Sequence, residues 1–184
     1  EVLTYAKAIS LPVNNNHPIV RGLDYYTRTV FEVTTTALGA QNAVAAGGRY
    51  DDLVTTMGGP TTPAIGFAAG FERLVLLLEE DRFLLKQHHT IYVACAGQNR
   101  LKEGLIVAEE MRACGWCVEF HAQGGALKNQ LKKADRLGAA MALILGDQEV
   151  DTGTVIVKDM VSGQQESVPR AGLVDRIRCM RGTL

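Results

Sequence analysis

From Thr90 onward the chain alternates strand-like and helix-like segments, and this restricts its second half to one kind of architecture. "TIYVACAG" (90–97) is a short apolar run of buried-strand type, followed by the helical pattern "RLKEGLIVAEEMRACG" (100–115), which stops at a glycine. "WCVEFH" (116–121) reads as a strand, "ALKNQLKKADRLGA" (126–139) as a helix, and "MALILG" (141–146) and "GTVIVKDM" (153–160) as strands. "QQESVPR" (164–170) turns back after Ser162–Gly163, and "AGLVDRIRCM" (171–180) closes the chain as a helix. Repeated β-α-β units give a mixed, mainly parallel sheet, here with a hairpin added at one edge.

The first half has a different pattern. "VFEVTTT" (30–36) alternates and is rich in β-branched residues, "ALGAQN" offers a turn, and "AVAAGG" (43–48) returns as an antiparallel partner. "RYDDLVTTM" (49–57) fits a short helix stopped by Gly58, Gly59 and Pro60, and "PAIGFAAG" (63–70) a third strand. "FERLVLLLEEDRFLL" (71–85) follows as a helix with an apolar stripe and an acidic outer face. Antiparallel strands followed by a helix predict an α+β portion over residues 1–86, and residues 87–184 form the α/β domain. The adjacent His88 and His89 fall at this junction, where a solvated linker is expected in preference to a metal site.

No apolar run approaches the ~18 residues of a membrane span, and the polar, amphipathic opening "EVLTYAKAIS" lacks the pattern of a signal peptide. A cytoplasmic protein is expected. The chain starts on Glu1 in mid-pattern, so a piece of a longer protein is expected too. Residues 1–87 carry seven basic and nine acidic side chains and residues 88–184 twelve and eleven, so any nucleic-acid contact has to come from a local basic face. Cys114 and Cys117 form C-G-W-C, but Cys114 falls at the end of a predicted helix, where the dipole disfavours a thiolate. Cys95 and Cys179 are isolated, so a second ligand pair for zinc is missing. Buried or half-buried thiols in a reducing compartment are expected, with no resident metal.

Hydrogen-bonding side chains crowd the mouth of the first strand. "VRGLDYYTRTVFE" (20–32) places Arg21, Asp24, Tyr25 and Tyr26 within six positions. "AAGGRYDDL" repeats the theme with Arg49, Tyr50 and Asp51, and "AIGFAAGFERL" supplies Gly66 and Gly70 before Arg73 in the first turn of a helix. Glycines ahead of a helix with an arginine beside it suit a phosphate-bearing ligand, because the backbone can approach closely and the guanidinium adds paired donors. Read as a group, these residues predict a polyanion pocket with tyrosines able to stack on or hydrogen-bond a ring. Three arginines gathered there (Arg21, Arg49, Arg73) would repel one another without an anion such as a triphosphate.

The segments "RGLDYYTRTVFE", "AAGGRYDDL" and "AIGFAAGFERL" resemble, in order and spacing, three segments of the histidyl-tRNA synthetases. The first is a histidine-specific signature, and the third looks like motif 3 of the class II synthetase core. "LKNQLKKADRLGAAMALILGDQEVDTGTVIVKD" looks like the family's anticodon-binding α/β domain. The resemblance implies ATP-dependent activation of histidine to histidyl-adenylate and transfer to tRNA(His), with Mg2+ accompanying ATP and a homodimer as the working assembly. It implies that Arg21 contacts the histidine carboxylate and the α-phosphate and stabilises charge during attack. It assigns Tyr25, Tyr26 and Tyr50 to histidine, with Asp24 and Tyr25 in support. Arg73 falls to the terminal phosphates of ATP, with Gly66 and Gly70 leaving room for the nucleotide. Such in-line phosphoryl chemistry needs positioning and positive charge more than a base.

Motifs 1 and 2 of the class, which supply dimer and adenine contacts, have no counterpart in the stretch before Arg21. A C-terminal half that is inactive alone is therefore expected. Two other functions compete: a histidine-sensing regulatory paralogue of ATP phosphoribosyltransferase, and an RNA-binding accessory module. The first typically lacks the anticodon domain and blurs the "RGLDYYT" signature, and both features are intact here. Lys128, Lys132, Lys133 and Arg136 recur on or near one helical face. Such a cluster is ordinarily a solvated face, and the resemblance makes it a candidate tRNA contact.

Overall fold

The computed structural model describes residues 1–15, 19, 25–39, 42–78, 90–97 and 100–181. The chain forms two compact units, Asn15–Leu85 and Glu1–Asn14 with Lys86–Leu184. The sequence order placed residues 1–14 with the first half. In the structure helix α1 (Val2–Ala8), which has no fully buried residue, lies instead against α4 (Leu101–Ala113) of the second unit.

The Asn15–Leu85 unit is built on an antiparallel sheet in the order β1 (Val30–Thr34), β2 (Ala43–Tyr50), β3 (Ala64–Ala69). Strand β2 runs two residues further than "AVAAGG" suggested, because Arg49 and Tyr50 pair with Ile65 and Ala64 of β3. The predicted helix at 49–57 is correspondingly reduced to α2 (Leu53–Thr56). The register slips between Val33 and Thr34, which face Ala45 and Ala43, so Val44 is the extra residue of a bulge and is buried. Helix α3 covers Phe71–Leu76 with its C-cap at Leu77, and the rest of the predicted helix from residue 79 lies outside the described residues, as do His88 and His89.

The other unit has a five-stranded sheet in the order β5-β4-β6-β7-β8, from β4 (Thr90–Cys95), β5 (Cys117–Phe120), β6 (Met141–Leu145), β7 (Thr154–Asp159) and β8 (Gln165–Pro169). Strands β5, β4 and β6 are parallel, and β7 and β8 add the antiparallel hairpin at the β6 edge. The observed architecture is thus the expected one: an antiparallel α+β portion and a mixed α/β sheet. Strand alternation builds two cores. Ile91, Val93, Cys95, Met141, Leu143 and Leu145 point to α4 and α7 (Leu173–Arg181), meeting Val107, Met111, Leu173 and Ile177. Tyr92, Ala94, Ala142 and Ile144 face α5 (Leu127–Arg136) through Ala134, Leu127 and Leu131. Burial of β4 and β6 on both faces explains their unbroken apolar runs.

Two features of this unit escape a periodicity reading. Helix α6 (Asp147–Thr152) has no apolar stripe and is set by its ends. The Glu149 carboxylate accepts from the Gly146 N–H at 2.9 Å, and Gly153 terminates the helix in the left-handed region at φ 67°. Gln130 looks like a solvated helix residue, but it is buried on the core side of α5. Its amide accepts from the Cys95 N–H (3.1 Å) and donates to the carbonyls of Cys95 (2.7 Å) and Gly125 (2.9 Å). Strand β5 pairs β4 only as far as Val93, so this side chain satisfies backbone groups that the sheet leaves unpaired.

The four thiols are free. Cys114 caps the carboxy-terminal end of α4, as expected, and Arg178 Nη2 donates to its sulfur at 3.8 Å. Cys117 and Cys179 are exposed, contrary to the expectation of burial, because edge strand β5 and helix α7 turn these positions to solvent. Cys95 is fully buried. Burial, followed by the negative charge of Glu103, pushes its thiol from an ordinary 9.0 up to about 11. The folded state therefore holds this proton more tightly than the unfolded chain. Its contribution to stability is complete below pH 9.0 and is lost as pH rises towards about 11. Urea unfolding of the chain should show stability falling by roughly 1.4 kcal/mol per pH unit in that window from this group. Cys95→Ala should remove that slope, and an unchanged slope in the variant would assign the pH dependence elsewhere.

Candidate functional site

A cavity of about 670 Å³ opens on the Asn15–Leu85 unit. Its floor follows from strand alternation. Ala46, Gly48 and Tyr50 share one face of β2, paired across to Ala68, Gly66 and Ala64 of β3; of these Ala46, Ala68 and Gly66 line the trough, with Tyr50 at one end. At the other end, beyond the last residue of β3, Gly70 leads into α3, and half-buried Arg73 turns back to donate from Nη1 to the Ala43 carbonyl.

The tyrosines arrive by a backbone route that the sequence alone does not disclose. The segment before β1 runs beside the end of β2: Thr27 N donates to Arg49 O (2.9 Å), Arg49 N to Thr29 O (2.8 Å), and Asp51 N to Thr27 Oγ1 (3.1 Å). That pairing brings Tyr25 and Tyr26 to the cavity wall beside Tyr50. The Tyr25 ring lies 4.9 Å from Tyr26 (interplanar 53°) and 5.6 Å from Tyr50 (84°), and Tyr26 lies 6.5 Å from Tyr50. Edge and tilted contacts of this kind favour a fixed aromatic wall. Partial desolvation and a hydrogen bond with Tyr26 raise the Tyr25 phenol above its ordinary value.

Of the residues singled out from the sequence, Tyr25, Tyr26, Tyr50, Gly66, Gly70 and Arg73 line this one cavity. Arg21 and Asp24 lie outside the described residues. Arg49 does not line it. Alternation turns Arg49 to the face opposite Tyr50, where its Nε meets Asp51 Oδ1 at 2.8 Å and Arg28 approaches the other carboxylate oxygen at 3.4 Å. The expected gathering of three arginines therefore loses this member, which is paired with Asp51 outside the cavity. Sequence reading missed the floor residues Ala46 and Ala68, the Phe67 contribution and Leu53. The alternation of β2 and β3 is the signal that could have indicated the floor pair.

On α5 of the other unit, Lys128, Lys132, Lys133 and Arg136 are all exposed, and none forms an ion pair among the described residues. No helix among the described residues is long and apolar enough to cross a membrane.

The family profile described as histidyl-tRNA synthetase matches residues 1–74, and the anticodon binding domain profile matches residues 90–180. A histidine–tRNA ligase of Cyanothece sp. is 46% identical over 173 residues, covering 94% of this chain and 40% of that protein. One from Thermodesulfovibrio yellowstonii is 49% identical over 163 residues, covering 89% and 39%. A crystal structure of apo histidyl-tRNA synthetase from S. aureus aligns at 30% identity with a TM-score of 0.46, over 95% of this chain and 46% of that one. The chain thus spans about 40% of the length of the relatives it matches in sequence. Matched along nearly its whole length by these two profiles and by relatives that share almost half its residues, the chain belongs to the histidyl-tRNA synthetase family.

Proposed function

We propose that this chain supplies the histidine pocket, part of the ATP site and the tRNA-binding unit of a histidine–tRNA ligase. The observation that carries this reading is the convergence of Tyr25, Tyr26, Tyr50 and Arg73 on one cavity in a chain of this family. A ring lying among three phenols can be stacked on and hydrogen-bonded, which suits imidazole. Arg73, at the opposite end of the trough, grips the outer phosphates of ATP, and Gly70 lets the nucleotide approach the backbone. Arg21 stands between them in function: its guanidinium bridges the histidine carboxylate and the α-phosphate as the carboxylate oxygen attacks and pyrophosphate leaves. Mg2+ enters with ATP, and no residue of this chain is assigned to hold it. The basic face of α5 meets the tRNA(His) backbone. The protein works in the cytoplasm as a homodimer.

The regulatory-paralogue and accessory-module alternatives gain no support from the family matches, since both the synthetase and anticodon-binding profiles fall on this one chain. The deciding experiment is ATP–pyrophosphate exchange, followed by aminoacylation of tRNA(His), with the protein carrying this chain. Exchange should depend on histidine, and charging should be confined to tRNA(His). Histidine binding without any exchange would instead support a sensor.

A further inference from the structure

We propose that Gly66 and Gly48 are positioning residues for the cavity tyrosines, and that Gly66 acts at the histidine end of the cavity and not at the nucleotide end. The two glycines are register partners across β2 and β3, on the face that carries Tyr50. A Cβ on Gly66 would run into the Tyr50 phenol oxygen, with the next ring atoms, Cζ and Cε1, 3.3 and 3.4 Å away. A Cβ on Gly48 would stand 2.6 and 2.7 Å from Tyr26 Cδ1 and Cε1, and 2.8 Å from the Thr29 carbonyl oxygen. Each tyrosine therefore occupies space that a side chain on its glycine would take. Neither glycine has positive φ, so backbone conformation does not require glycine at either position. Gly70 contrasts with them: the nearest atoms to a Cβ there belong to the flexible stem of Arg73, at 3.2 Å and beyond.

The family resemblance assigns Gly66 to the nucleotide, as an open space. In the fold that space is filled by the phenol of Tyr50, whose oxygen is set by the absence of a side chain beneath it. Restoring a methyl group at Gly66 has to lift the phenol or tilt the ring, and Tyr50 also makes edge contact with Tyr25 at 5.6 Å. The disturbance would pass along the aromatic wall while leaving Gly70 and Arg73 in place.

Gly66→Ala is the useful test, because its obstacle is the end of one side chain, whereas Gly48→Ala also meets backbone. The identity of the ligand rests on the histidine reading above; the contact with Tyr50 does not. In the protein carrying this chain, pyrophosphate exchange by G66A should show at least a tenfold rise in KM for histidine and less than a threefold rise for ATP. Tyr50→Phe removes the obstructing oxygen, so G66A/Y50F should return the KM for histidine to within threefold of Y50F alone. Separately, urea unfolding of the 184-residue chain should show a lower midpoint in G66A, with at least half of that loss recovered when Y50F is the background. A rise in KM for ATP as large as that for histidine, or a midpoint loss equal in both backgrounds, would overturn the proposal. If the wild type exchanged with no amino acid, the ligase reading would fall. The unfolding cycle would still decide whether Tyr50 rests on Gly66.

Discussion

Arg21→Ala should lower histidine-dependent pyrophosphate exchange by roughly 10²–10³-fold, the scale of losing one preorganised donor aimed at developing charge. The expectation rests on family resemblance and on chemistry, since Arg21 lies outside the described residues. As the carboxylate attacks the α-phosphorus, negative charge spreads over the transferring group. A guanidinium reaching both carboxylate and phosphate stabilises that state more than it stabilises bound histidine. The loss should therefore appear mainly in kcat, with a smaller change in histidine affinity. Arg21→His should not rescue, because an imidazole lacks the forked, permanently charged donor set. Exchange within tenfold of wild type would remove Arg21 from the role of charge stabiliser.

Histidine should be preferred to phenylalanine by about 10⁴-fold or more in kcat/KM for activation. A site built to hydrogen-bond a polar ring leaves its own groups unpaired around an apolar one, and discrimination of that order follows. Tyr25, Tyr26 and Tyr50 present the phenols within one wall, and a benzene ring there would strip them of water without replacing the hydrogen bonds. Histidinol, which keeps the imidazole and the amine, should compete with histidine. Equal binding of phenylalanine and histidine in competition experiments would mean that these tyrosines frame something other than an imidazole.

Residue order alone set the two kinds of sheet. Apolar runs of five residues at 91–95 and 141–145, too short for helices, read as strands covered on both faces, and the helical patterns between them call for parallel crossovers. It also indicated the cavity residues Tyr25, Tyr26, Tyr50, Gly66, Gly70 and Arg73 as chemically unusual for strand ends, and family resemblance gave them roles. Which of them share a face depends on strand pairing and register. Arg49 and Tyr50 are neighbours in the chain, yet the two-residue period of β2 sends Tyr50 to the cavity and Arg49 to Asp51. The partners of Gln130 were equally hidden, because the backbone groups of Cys95 need a side-chain amide only once β5 has ended at Phe120. The same holds for Gly66. A glycine in a strand signals close approach, but the approaching group is specified by the register between β2 and β3, which brings the Tyr50 phenol over the position where a side chain would otherwise stand.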